Sequence, residues 1–155
     1  MTPAIRLLKK NKIFHIVHQY THESDTSSYG SEASEKLGIV ATRVFKTIVV
    51  SLEKKELAVG IVPVSAMLNM KKIAKSVGAK RAVMALPADV ERSSGYILGG
   101  VSPLGQKKRL KTVIDCSAET HETIFVSAGR RGLEIELSPL DLKILLQGAF
   151  ADIAL

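Results

Sequence analysis

Lys46 is the residue whose type and surroundings most directly suggest chemistry. It lies in the run Val44-Phe45-Lys46-Thr47-Ile48-Val49-Val50-Ser51-Leu52, which reads as a β-strand. Alternation puts Val44, Ile48 and Val50 on its side and Phe45, Thr47 and Val49 on the other. Both sides are largely apolar, so the strand is expected to be buried on both faces. An unpaired ammonium there is expensive. The lysine must reach a pocket or a rim, either as a cation that contacts substrate or as a side chain snorkelling from the strand end.

Two loops add possible hydrogen-bond donors. The stretch Ser94-Gly95-Tyr96-Ile97-Leu98-Gly99-Gly100-Val101-Ser102-Pro103-Leu104-Gly105 is glycine-rich, so its backbone can approach a ligand closely. Its N–H groups suit a carbonyl oxygen that becomes negative during ester cleavage. A tight connection would use the same residues. A P-loop is excluded, because Gln106 stands where the lysine must be. The second loop, Ser127-Ala128-Gly129-Arg130-Arg131-Gly132, offers a hydroxyl, backbone donors and two guanidinium forks suited to phosphate. It could equally be a solvated hairpin turn.

Other constellations are weaker. A strand would put His15 and His18 on opposite faces, and neither they nor His22 has a cysteine or carboxylate cluster beside it, so no metal is expected. Cys116 and His121 have no local support as a thiol nucleophile. No Gly-x-Ser-x-Gly elbow occurs. No cofactor is implied.

The elements that must position these residues follow from local pattern. Thr2-Pro3 is an N-cap followed by proline at the first helical position, with Ile5 and Leu8 on one face of a short helix. Ile13 to Tyr20 reads as a strand, Ser31 to Leu37 as a short helix stopped by Gly38. Leu57 to Val64 is a strand that returns antiparallel to Val44–Leu52 through Lys54-Lys55-Glu56. Asn69 caps a helix whose apolar residues Met70, Ile73, Ala74 and Val77 fall on one face. Ala82 to Ala85 suits a short strand, Pro87 to Arg92 a helical turn, and Ser93 to Gln106 a long structured loop. Three strands follow, Thr112 to Cys116, Thr123 to Ser127 and Leu133 to Leu137. A last helix is capped by Ser138 with Pro139 at its first position and is closed by Gly148. Strict βαβ alternation is absent. The expected class is α/β (α+β): one compact domain over residues 1–155, with a mixed, barrel-like sheet and peripheral helices.

Composition narrows the partner. The 22 basic residues against 15 acidic ones give a formal net charge of +7, which favours an anionic partner, most naturally nucleic acid. Basic residues cluster at Lys71-Lys72-Lys75, Lys80-Arg81 and Lys107-Lys108-Arg109-Lys111, and could track an RNA backbone if they share a face. Aromatic residues are only 5% and there is no tryptophan, so a stacking platform is a poor fit. RNA would be held mainly by charge and shape. One cysteine allows no internal disulfide. No signal peptide or membrane span is read from the sequence, so the expected compartment is the cytoplasm.

The residues Tyr20, Phe45-Lys46-Thr47, Gly99-Gly100-Val101-Ser102-Pro103-Leu104-Gly105-Gln106-Lys107-Lys108-Arg109 and Arg131-Gly132-Leu133 together resemble the YbaK/prolyl-tRNA synthetase-associated editing domain family. The likeness runs from Thr2-Pro3-Ala4 to Asp152-Ile153. It implies a compact α/β domain that hydrolyses the ester joining cysteine to proline tRNA, acting in trans beside prolyl-tRNA synthetase. It assigns catalysis to Lys46, Gly99 and Gly100, and substrate contacts to Tyr20, Tyr29, Thr47, Ser127 and Gly129. Lys71, Lys72, Lys107, Lys108, Arg109, Arg130 and Arg131 are the expected tRNA contacts. Tyr29 replaces a phenylalanine common in relatives. Ala128-Gly129-Arg130-Arg131-Gly132 stands where the family usually has Gly-Gly-Lys-Arg-Gly. The resemblance also implies substrate assistance, in which the cysteinyl thiol attacks its own carbonyl. That agrees with the absence of a convincing protein nucleophile in the sequence. The rival readings are a related deacylase for another small aminoacyl-tRNA(Pro), such as the alanyl form, and a non-catalytic module that grips tRNA or a synthetase.

Overall fold

The fold is described from a computed structural model, which covers residues 1–23 and 29–155, with Tyr29 and Gly30 described by backbone alone. Two sheets form its centre. A three-stranded antiparallel sheet has the order β1 (Ile16–Gln19), β7 (Leu133–Leu137), β6 (Ile124–Ser127). A five-stranded mixed sheet has the order β4 (Ala82–Met84), β2 (Phe45–Leu52), β3 (Leu57–Pro63), β5 (Lys111–Asp115), β8 (Ala149–Ala151). Among the described residues a single parallel bridge, Val44 to Phe125, links them. The sheet is mixed as expected, but it does not close into a barrel, because one bridge is too little pairing to make the two sheets continuous.

Helix α1 (Pro3–Lys10) starts where the sequence puts it: the Thr2 hydroxyl accepts the Ile5 N–H at 3.3 Å. Its apolar face buries Ala4, Ile5 and Leu8 in the principal core with Phe45, Val49, Ile61, Val126 and Ile135. Helix α2 (Tyr29–Leu37) ends at Gly38, whose φ of +70° is left-handed. Helix α3 (Met70–Ser76) is capped by the Asn69 carboxamide and covers a second core containing Val50, Leu52, Ala58, Val62 and Ile73. Helix α4 (Pro87–Ser94) runs two residues past the expected turn, to a left-handed Gly95. Helix α5 (Pro139–Leu146) is capped by Ser138.

Two local expectations need correction. The strand over Ile13–Tyr20 shrinks to four residues, and as an edge strand it leaves Ile16 and Val17 exposed. Helix α5 stops at Gln147, itself left-handed with a φ of +51°, rather than at Gly148. Gly148 serves packing instead: a Cβ there would lie 2.9 Å from the Thr112 carbonyl oxygen. That close approach admits β8, parallel to β5, which its three residues were too short to announce.

One feature of the topology positions the site. Strand β2 pairs with β3 from Phe45 to Ser51, but with β4 only from Val50 to Leu52. Ala85 N–H adds one bond to the Val49 carbonyl. Between there and the bridge at Val44, the β4 side of β2 is an open edge. Antiparallel alternation aims the peptide groups of Phe45 and Thr47 toward it.

Candidate functional site

A cavity of about 350 Å³ lies against this open edge. Its other walls are the loop after α4, contributing Leu98, Gly99 and Val101, and the three-stranded sheet, contributing Tyr20, Ser127 and Glu134. Register explains the second wall. Ser127 is paired with Glu134, and Glu134 with His18, so these side chains share one face of that sheet; Tyr20 follows just beyond β1.

Lys46 lines the cavity half-buried. Among the described residues its ammonium has no ion pair or hydrogen bond, and burial pulls its pKa down. The neighbouring Thr47 hydroxyl is buried with no hydrogen-bond partner. Glu134 is 7% exposed, and burial pushes its carboxyl up to about 8. It forms no ion pair with Lys46. Burial is also the main force raising the Tyr20 phenol. The cavity therefore holds an amine and a carboxyl, each disfavoured in its charged form and neither neutralising the other.

The loop after α4 is rigidly built. Tyr96 is buried, its hydroxyl donates to the Leu104 carbonyl at 2.6 Å, and burial pushes it to about 12. Ser94 accepts from the Tyr96 N–H at 3.1 Å and Ser102 from the Leu104 N–H at 3.2 Å. Gly99 lines the cavity with a φ of +93°. Gly100 does not line it: its N–H is donated to the Ile97 carbonyl at 2.9 Å, so it is not available to an oxyanion. A Cβ on Gly100 would stand 2.8 Å from Arg130 Cα, so this glycine lets the loop lie on the β6–β7 turn. Gly129 is likewise a packing glycine, with a φ of +112° and space that a Cβ would take 2.6 Å from the Tyr96 ring. Its N–H donates to the Ser127 hydroxyl at 3.1 Å.

Of the expected contacts, Tyr20, Lys46, Thr47, Gly99, Ser127, Arg130 and Arg131 meet at the cavity. The Tyr29 side chain lies outside the described residues. Lys108 and Arg109 line a neighbouring groove, and the Lys107 stem covers Gly95. Lys71 and Lys72 do not join them: they sit on α3 over the second core, and Lys72 is engaged by Asp152 at 3.0 Å. The basic clusters thus do not all share one face. Arg131 reaches Glu32, a buried carboxylate on α2, at 3.5 Å.

Glu134 escaped the sequence reading. In the strand Leu133-Glu134-Ile135-Glu136-Leu137 alternation puts both acids on one face, which does not distinguish them. Glu136 is bound by His18 at 2.9 Å and Thr123 at 2.6 Å, while Glu134 turns into the cavity. The signal was present only as an acid two residues beyond the Arg130-Arg131-Gly132 turn.

No histidine lines the cavity, and Cys116 lies outside it, exposed. The hydroxyls of Thr47, Ser127 and Tyr20 therefore have no imidazole to activate them. The arrangement can bind and polarise a carbonyl through Lys46, with the Gly99 backbone beside it, and can receive an ammonium at Glu134.

The sequence profile of the aminoacyl-tRNA editing domain matches residues 23–145. EbsC of Enterococcus faecalis, named provisionally as a Cys-tRNA(Pro)/Cys-tRNA(Cys) deacylase, is 38% identical over 152 residues, covering 98% of this chain and 92% of that protein. YwhH of Bacillus subtilis is 27% identical over 130 residues, covering 80% of this chain and 82% of its own. A solved structure described provisionally as a trans-editing enzyme for prolyl tRNA synthetase superposes with a TM-score of 0.84 at 21% identity, covering 100% of this chain and 99% of the other. A hypothetical protein superposes at 0.88, also at 21% identity, over 99% and 100%.

Proposed function

The chain belongs to the aminoacyl-tRNA editing domain family and is an aminoacyl-tRNA deacylase, and from that premise we propose that it removes cysteine from mischarged tRNA(Pro). The observation that carries this reading is an unpaired Lys46 in a small cavity whose described residues include no hydroxyl or thiol hydrogen-bonded to a base. Such a site can stabilise charge but has nothing of its own to attack with. A substrate that brings its own nucleophile fits it.

The cysteinyl thiolate attacks its own ester carbonyl. A C–S bond forms, the C–O bond to the ribose breaks, and the 3′-oxygen leaves, taking up the proton the thiol gave up. Water then opens the four-membered thiolactone. Lys46 and the Gly99 N–H hold the carbonyl oxygen as it becomes negative. Glu134 receives the α-ammonium and fixes the side chain in an attacking geometry. Alanine would fit the same space, since one small group discriminates modestly; the thiol is the chemical filter. The 155 residues act as one editing unit, in trans beside prolyl-tRNA synthetase in the cytoplasm.

The test is deacylation of purified Cys-tRNA(Pro), with Cys-tRNA(Cys) and Ala-tRNA(Pro) alongside. Rapid loss of cysteine and little loss of alanine is expected, and Lys46→Ala should stop turnover while the fold persists. An unchanged rate in that variant removes Lys46 from the mechanism. Tight binding of Cys-tRNA(Pro) without release of cysteine would make the protein a binding module.

A further inference from the structure

A groove of about 760 Å³ adjoins the cavity, with Met84 lining both. Its apolar residues are Val83, Met84 and Leu86, which are 61%, 60% and 68% exposed. Such a row on β4 and its C-terminal continuation is unusual on a surface unless something covers it. Beside it stand five cations. Arg92 is paired with Asp89 at 2.9 Å and Lys111 with Glu56 at 3.7 Å. Lys55, Lys108 and Arg109 have no acidic partner among the described residues, and no acid of the groove is left over to balance them.

We propose that this groove seats the unpaired 3′-terminal nucleotides of tRNA and leads the terminal ribose into the cavity. The inference rests on the reading that the cavity takes the aminoacyl end. The excess of cations selects a polyanion. The exposed apolar row selects one whose base faces are free, since a helix presents only sugar, phosphate and base edges. Methionine, leucine and valine can cover a base face without the aromatic residues that this chain largely lacks. A depression at Gln19, Tyr20, Thr21 and the Arg130–Gly132 turn, which shares Tyr20, Arg130 and Arg131 with the cavity, is the rival path. It has no comparable apolar row, and its Arg131 is engaged by Glu32.

The probe is an uncharged RNA hairpin that copies the acceptor stem and ends in four unpaired nucleotides, compared with the same hairpin cut blunt. Binding is read by fluorescence anisotropy across a salt series. The tailed hairpin should bind at least tenfold tighter than the blunt one. Lys108→Ala with Arg109→Ala should weaken it at least fivefold and flatten the salt slope by about 1.4, two single-strand contacts' worth. Leu86→Asp should abolish the preference for the tail. Leu86 is the N-cap position of α4, where aspartate is favourable, so this variant should fold. Equal binding of the two hairpins, unchanged affinity in these variants, or photocrosslinking of the tail to the Arg130–Gly132 turn would overturn the proposal. Because the RNA is uncharged, the result is independent of turnover. A chain that failed to deacylate could still pass, and an active enzyme whose groove ignored the tail would refute the groove alone.

Discussion

The contribution of Glu134 to stability should fall as pH rises. Its carboxyl is pushed from the usual 4.5 to about 8 by burial. The folded-state pKa lies above the unfolded one, so the fold favours the protonated acid. The associated stability is fully present below about pH 4.5 and is lost as pH climbs toward 8. At about 1.4 kcal/mol per pH unit, the loss between pH 5 and pH 8 amounts to about 3–4 kcal/mol. That is a large share of an ordinary domain's stability. Glu134→Gln keeps the shape of the neutral acid and removes the titration. Urea denaturation of both proteins at half-unit steps should give nearly equal stability at pH 5. The glutamine variant should then pull ahead by about 1.4 kcal/mol per unit and level off above pH 8. Every other ionisable group contributes to both curves and cancels in their difference. Parallel curves from pH 5 to pH 8 would mean that the carboxyl is hydrated or paired in solution, and the role given to it here would fall with them.

Other consequences follow from the same structure. Lys46→Ala should lower kcat at least 100-fold, as loss of an oxyanion contact does, while thermal melting shows no loss of stability, because a half-buried unpaired ammonium is removed. Gly129→Ala should destabilise by about 2–3 kcal/mol in chemical denaturation, since it adds a Cβ both at a φ of +112° and against the Tyr96 ring. Asp115→Ala should loosen the C-terminal segment and expose it to carboxypeptidase, because Asp115 accepts the N–H groups of Ile153 and Ala154 at 3.0 and 3.1 Å. Burial works against ionisation of Asp115, but hydrogen bonds led by that from Ser117 outweigh it and hold its pKa down. Its contribution to stability is therefore lost as pH falls through the acid range.

What was legible in the sequence was whatever depends on neighbours along the chain. Thr2-Pro3, Asn69 and Ser138-Pro139 announced helix starts because capping is settled within three residues. Lys46 announced itself because a cation in an apolar strand conflicts with its surroundings. Glu134 did not, because its destination depends on how the three-stranded sheet lies against β2. That relation is made by contacts between residues distant in sequence, among them the Val44–Phe125 bridge, 81 residues apart. The glycines show the same divide. The run around Gly99 and Gly100 marked a close approach, but only the structure separates Gly99, which lines the cavity, from Gly100, whose N–H is spent on a turn. Lys72 also looked like a free cation until folding brought Asp152 beside it.

Lys46 and Glu134 gain meaning from their failure to pair. Had Lys46 and Glu134 formed a salt bridge, each would be satisfied in the empty protein, and a substrate would have to break that bridge to use either. Instead the amine and the carboxyl are both left under-solvated, and only a ligand carrying an acceptor at one end and a cation at the other can relieve them together. An aminoacyl ester is such a ligand, with its carbonyl oxygen for Lys46 and its α-ammonium for Glu134. Binding should then ionise Glu134, releasing a proton below pH 8. Calorimetry with a non-hydrolysable cysteinyl-adenosine amide, run in buffers of different ionisation enthalpy, reads that proton directly. A release approaching one per site at pH 7 is expected in the native protein and none in Glu134→Gln. An equal release from both would place the ammonium elsewhere.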